Sequence, residues 1–334
     1  MLLKTVSLGK VLILIFVFLT NSLAQEAHDA PKLFPIKQNK KIGYIDKTGK
    51  IKIQPHFEGG SEFSEGFAAV RINGKYGYIS ETGKVVIKPQ FNVASEFSEG
   101  IAAVFNYGEG YGYINKTGEI IIKLQYNQAV GFAEGLAHVR LGEKWFYIDL
   151  QGNPAFEMDC FFASQFSEGL AGFGCGEKGF IDKTGKLVIE NEGFSDVDYF
   201  SEGLAAVRLN ESFLKGYVDK QGKFVIPPQY EEAGGFKEGL AHVKINEKYG
   251  FIDKSGKIAI AARFDDAGNF AEGLADVQMG EKNGYINKAG KIVIKPKFDV
   301  AFAFSGGLAK VYDDGKDWYI NTKGEIVSEA CSSC

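Results

Sequence analysis

The run Gly77-Tyr78-Ile79-Ser80-Glu81-Thr82-Gly83-Lys84-Val85-Val86-Ile87-Lys88-Pro89-Gln90-Phe91 holds two apolar stretches separated by a polar turn that closes on a glycine. Its first position recurs at Gly43, Gly112, Phe146, Gly179, Gly216, Gly250, Gly284 and Trp318, at intervals of 33 to 37 residues. A second anchor, Phe-Ser-Glu-Gly or a close variant, keeps step at Phe63, Phe97, Phe132, Phe166, Phe200, Phe236, Phe270 and Phe304. Two anchors in register along most of the chain define an internal repeat. Such a unit is a single supersecondary element that buries its apolar face only against its neighbours.

Inside the unit the apolar period is two. Val70 and Ile72 share one face of Ala68-Ala69-Val70-Arg71-Ile72, and Ile51 and Ile53 share one face of Lys50-Ile51-Lys52-Ile53. This alternation predicts half-buried strands. Asn73-Gly74-Lys75 and Asp46-Lys47-Thr48-Gly49 supply the turns between them. The expected unit is a three-stranded antiparallel meander. Leu33 to Ile42 fits the first strand of the earliest unit, with Ile36 in the place of Val70, so the array spans residues 33–327 in nine meanders, followed by a tail at 328–334. Such an all-β array can form an open, twisted β-superhelix or a closed propeller-like ring. Propeller blades usually run to about 40–50 residues, and the short repeat favours the open form.

The chain has 334 residues, with 38 Lys and Arg against 42 Asp and Glu. This mildly acidic balance has no basic stripe, which argues against nucleic acid as a partner. Residues 1–24 read as a secretory signal peptide: Lys4 and Lys10, an apolar run from Val11 to Thr20, then Ser22 and Ala24 before a cleavage site at Gln25. Residues 25–32 form a short polar linker, and no later stretch is long and apolar enough to span a membrane as a helix. The expected location is the periplasm, the cell surface or the exterior.

Gly-Leu-Ala-x-Val, Lys-Tyr-Gly-Tyr-Ile-Asp-Lys-Thr-Gly-Lys and Val-Ile-Lys-Pro-Gln-Phe together resemble the bacterial WG-containing (KWG) repeat. The chain departs from it at the defining Trp, where Tyr76, Tyr111, Tyr249, Lys178, Lys215 or Asn283 stands before the glycine, while Trp145 and Trp318 precede Phe146 and Tyr319. The resemblance implies an all-β, non-enzymatic repeat protein of bacterial envelopes.

Candidate chemistry is sparse. A carboxylate recurs at Glu65, Glu99, Glu134, Glu168, Glu202, Glu238 and Glu272. Paired carboxylates can hydrolyse a glycoside when two flank one bond, but each of these sits in an equivalent turn before glycine, which predicts a backbone-capping role. Gly174-Cys175-Gly176-Glu177-Lys178-Gly179 matches the dinucleotide fingerprint in letters but falls in a hairpin, without the helix that fingerprint needs. The row Ala69, Ala103, His138, His242, Asp276 and Lys310 occupies one variable position of the first strand and is expected to face solvent or a ligand as a binding surface. Cys160 and Cys175 fall on apolar positions of one irregular unit, where a disulfide and two free thiols are both open readings in an oxidising compartment. Cys331 and Cys334 suit a local terminal disulfide better than a redox motif. Asp313-Asp314-Gly315-Lys316-Asp317 lacks calcium-loop spacing.

No catalytic, cofactor-binding or metal-ligating set emerges. The leading expectation is an exported, non-catalytic scaffold that binds a protein or an envelope glycan. An enzyme acting on envelope polysaccharide through the Glu series, and a purely structural or adhesive surface protein, are the alternatives.

Overall fold

The computed structural model describes residues 32–158, 164–174, 178–190 and 193–331. Among these there is no helix, and the strands fall into nine antiparallel sheets in chain order. Seven sheets have four strands, and those at Phe34–Phe57 and Leu170–Glu190 have three among the described residues. They are numbered blades 1 to 9, from Phe34–Phe57 to Val300–Glu329.

The expected meander is present in every blade, with one addition. In blade 2, Phe67–Ile72, Lys75–Ser80 and Val85–Phe91 are its three strands, preceded by the two-residue strand Gly59–Gly60. Gly60 pairs with Val70 and Gly59 with Arg71. The hairpin turns follow the residues that mark them: Asn73 and Gly74 both take positive φ (50° and 76°), as a two-residue type I′ connection requires.

The glycine that opens each motif has a steric cause. A Cβ at Gly77 would lie 2.4 Å from the Ile87 carbonyl oxygen and 2.6 Å from the Pro89 nitrogen, because the last strand bulges over it. The register there jumps from Tyr78↔Ile87 to Tyr76↔Phe91. Where Phe146 and Trp318 replace this glycine the bulge is gone, and pairing runs without a shift from Trp145↔Met158 to Tyr147↔Phe156 and from Trp318↔Glu329 to Tyr319↔Ser328.

Both faces of each blade are buried. Ala68, Val70 and Ile79 pack back onto blade 1, while Ala69, Tyr78, Ile87 and Phe91 pack forward onto blade 3. The core is therefore divided into nine apolar clusters, one between each blade and the next. The ninth decides the architecture: Phe34, Ile36 and Ile45 of blade 1 pack on Leu308, Tyr319 and Ala330 at the end of the chain. The Tyr319 hydroxyl donates to the Pro35 carbonyl at 3.2 Å across 284 residues. The array is a closed, nine-bladed β-propeller.

This corrects the expected open superhelix of three-stranded units. Closure buries six apolar side chains that an open array would leave facing water at its two ends, a gain of roughly 10 kcal/mol as an upper estimate. The extra strand fits a 34-residue repeat because it is only two residues long in six of the seven blades that show it among the described residues; in blade 6 it is Phe194–Val197. The C-terminal segment also differs from a free tail: the last strand runs to Glu329, and Ala330 and Cys331 are buried.

Candidate functional site

The Phe-Ser-Glu-Gly anchors are structural. Each phenylalanine packs onto an aromatic ring of the preceding blade, as Phe97 does on Tyr78 at 4.8 Å. The serine reaches forward: Ser98 Oγ donates to the Phe132 carbonyl at 2.8 Å. The glutamate sits in the left-handed region and accepts a backbone N–H from the next blade. Gly169 N donates to Glu134 at 2.9 Å, and Lys183 of that same blade lies 3.2 Å from the carboxylate. Burial would raise the Glu134 pKa, but the Lys183 ammonium and the Gly169 N–H outweigh it and hold the carboxyl below its ordinary value. All seven glutamates make this staple, joining blades 2 through 9 in succession. Each carboxylate is thus engaged by the backbone of the next blade.

The row Ala69, Ala103, His138, His242, Asp276 and Lys310 faces the blade interfaces and not an outer surface. Ala69, Ala103 and His138 are buried, the last stacked on Trp145 and Tyr147 with ring centroids 4.5 and 5.0 Å away. Burial pushes the His138 pKa down to about 4. The other three are half-buried in consecutive blades 7, 8 and 9. His242 and Asp276 need space that a small neighbour provides. A Cβ on Gly234 would fall 2.2 Å from the His242 ring, and one on Gly268 would fall 2.3 Å from an Asp276 carboxylate oxygen. Burial raises the Asp276 pKa to about 6. Lys310 Nζ donates to the Cys331 carbonyl at 2.8 Å and lies 3.3 Å from Asp317. Cys160 and Cys175 lie outside the described residues, and Cys331 is disulfide-bonded.

The sector from blade 6 to blade 8 breaks most sharply with the rest of the ring. In blade 2 the residue before the motif glycine is Tyr76, packed against an apolar core; in blade 6 it is Lys215. The Lys215 side chain is 10% exposed, and its ammonium lies 3.1 Å from Asp198, 3.7 Å from Glu232 and 4.0 Å from Asp196. Arg208 grips Glu232 from the other side at 2.7 Å. Beside this cluster opens a cavity of about 330 Å³, lined by Asp198, Tyr199, Lys215, Glu232, Ala233, Gly234, Gly235, His242, Tyr249 and Asn269. His242 Nδ1 and Asn269 Oδ1 are buried there outside good hydrogen-bond geometry, and the two side chains interact with each other. Burial also depresses the His242 pKa, so its imidazole is neutral near pH 7. Lys215, Asp198, Glu232 and Asn269 were not singled out as functional in the sequence. Their signal is departure from the repeat: a lysine in an aromatic slot, and a Gly234–His242 pair where blade 2 has Ser61–Ala69. Among the described residues no group of three or more His, Cys, Asp and Glu is placed to hold a metal.

A closed ring of nine short blades, with glutamate staples from blade 2 to blade 9, defines a small-repeat β-propeller. The chain belongs to the family described as the WG containing repeat, whose model matches eight times, at 42–76, 76–108, 111–145, 145–178, 179–212, 216–249, 249–282 and 284–316. No curated protein matches it. Among solved structures it is similar to one titled a eukaryotic initiation factor, with TM-score 0.65, 11% identity, and coverage of 89% of this chain and 95% of the other, a likeness of fold alone. Two others are BamB from Moraxella catarrhalis (TM-score 0.43, 9% identity, 90% and 94% covered) and the designed protein Ika8 (TM-score 0.49, 12% identity, 87% and 100% covered).

Proposed function

We propose that this propeller is an exported, non-catalytic binding protein of the bacterial envelope that holds a protein partner at the interface of blades 6 to 8. The observation that carries the reading is the cavity beside Lys215, with two poorly satisfied polar side chains, His242 and Asn269, in its wall. Poorly satisfied buried polar groups in a concave site mark a place completed by something else. The seven glutamates that an enzyme reading would require are committed to inter-blade staples. Export rests on the signal-like residues 1–24.

Photocrosslinking tests this reading. A benzophenone amino acid at Tyr199, which is 45% exposed at the cavity, is expected to trap a discrete envelope protein. The same probe at Tyr107, 79% exposed in the blade 3 hairpin, is expected to trap none. Equal yields at the two positions, or no adduct at either, would overturn the assignment.

A further inference from the structure

Resting on that reading, we propose that the cavity between blades 6, 7 and 8 recognises a primary ammonium on an aliphatic stem, presented as a lysine side chain of the partner protein. The wall is rich in acceptors. Asp198 and Glu232 keep 37% and 44% of their side chains exposed. The one cation among the lining residues, Lys215, is already surrounded by Asp196, Asp198 and Glu232. An anion would meet these carboxylates, and the lining residues offer it no cation beyond Lys215. A neutral polyol could donate to the same carboxylates but brings no charge to meet them, which is why glucose is a control below. An alkylammonium offers three donors and no acceptor.

Charge alone does not select this ligand. Lys237 stands over the Tyr199 ring at 5.8 Å and Lys244 over the Tyr249 ring at 5.7 Å. These two, with Arg208 and Lys215, face Asp196, Asp198, Glu231, Glu232 and Asp266. Selection comes from the hydrogen-bonding complement and from the stem. Tyr199 and Tyr249 give the cavity apolar sides against which methylenes pack, while Gly234 and Gly235 place no side chain in the way. The volume of about 330 Å³ is at the lower end of small-ligand sites, suited to one side chain rather than an extended polymer.

Calorimetric titration of the full chain with n-butylammonium chloride, n-butyrate, glucose and an acetylated, amidated Gly-Gly-Lys-Gly-Gly peptide tests the inference. The ammonium and the peptide are expected to bind, the peptide more tightly, and butyrate and glucose are not. Tyr199→Ala removes a partly exposed ring without emptying the core and should weaken both ligands about five-fold. Glu232→Gln should weaken them by at least as much. Butylammonium binding as tightly as the peptide would replace the protein side chain with a free amine as the source, overturning that half of the proposal. Absence of binding by both amines, equal binding of butyrate or glucose, or Tyr199→Ala and Glu232→Gln that each bind as wild type would overturn it whole. Crosslinks at Tyr199 combined with amine failure would leave the binding-face reading intact and remove only the ligand assignment.

Discussion

Replacing Glu134 by alanine and by glycine separates the two things this residue does. Its carboxylate accepts the Gly169 N–H at 2.9 Å and faces Lys183 at 3.2 Å, while its backbone is held at φ +53°. A hydrogen bond to a charged acceptor contributes about 1.5–3 kcal/mol and a partly exposed ion pair about 0.2–1 kcal/mol. With the carboxylate 31% exposed, the lower end of each range applies, and the staple is worth about 2 kcal/mol. The left-handed backbone costs a non-glycine residue about 1 kcal/mol. Glu134→Ala loses the staple and keeps the strain, so it should destabilise by about 2 kcal/mol. Glu134→Gly loses the same bonds but relieves the strain, so it should destabilise by only about 1 kcal/mol. Urea unfolding of wild type and both variants reads these values, and at roughly 2–4 °C per kcal/mol a thermal melt should rank them the same way. The folded pKa of Glu134 is depressed, so its contribution is present above the ordinary carboxylate range and lost as pH falls through the folded value. The gap between wild type and alanine should therefore shrink in acid. A glycine variant as unstable as the alanine variant, or an alanine variant as stable as wild type, would refute the staple.

Asp276→Asn should stabilise the fold by up to about 3 kcal/mol above pH 6, because its carboxyl rises from 3.8 to about 6 on folding; the advantage should vanish near pH 4 in denaturant titrations. His138→Phe should make the protein more resistant to acid. The histidine falls from 6.5 to about 4, so it withdraws about 3 kcal/mol as pH drops through that window, visible as a shift in the acid unfolding midpoint. Lys215→Met should destabilise by no more than about 1 kcal/mol, since the carboxylates it leaves, Asp196, Asp198 and Glu232, are 45%, 37% and 44% exposed, and adding Asp198→Asn should recover part of that loss in a double-mutant cycle. Blade 1 should exchange its amide hydrogens fastest. No glutamate staple joins it to either neighbour: the seven run only from blade 2 to blade 9, and Gly306 stands in the glutamate's slot at the seam. Tyr319→Phe should speed that exchange further.

The repeat, its anchors, the strand alternation and the count of nine are legible because each depends on residues near one another in sequence. Asn73-Gly74 specifies its own hairpin, and Glu65 before Gly66 announces a turn. Closure is different in kind. It rests on a two-residue strand, such as Gly59–Gly60 or Gln128–Ala129, too short to carry any alternation, and on contacts between Phe34 and Tyr319 at opposite ends of the chain. The variable row is legible as variable, but its direction is not. Alternation tells which residues share a face, and in a ring whose blades are covered on both sides neither face is the outside. The polar cavity escapes for a related reason: Lys215, Glu232 and Asn269 belong to three different blades and meet only because the ring stacks them.

Closure also bears on how such a gene can change. An open solenoid tolerates duplication or loss of a unit at either end, since only the last interface is remade. Here the Tyr319 hydroxyl must still find Pro35 after any such event. Inserting or deleting one blade alters the angle at every interface, including those fixed by the glutamate staples. Copy number is thus held by geometry, and variation is channelled into single side chains at the interfaces, where Lys215, His242 and Asp276 have replaced the smaller or apolar residues found elsewhere in the ring.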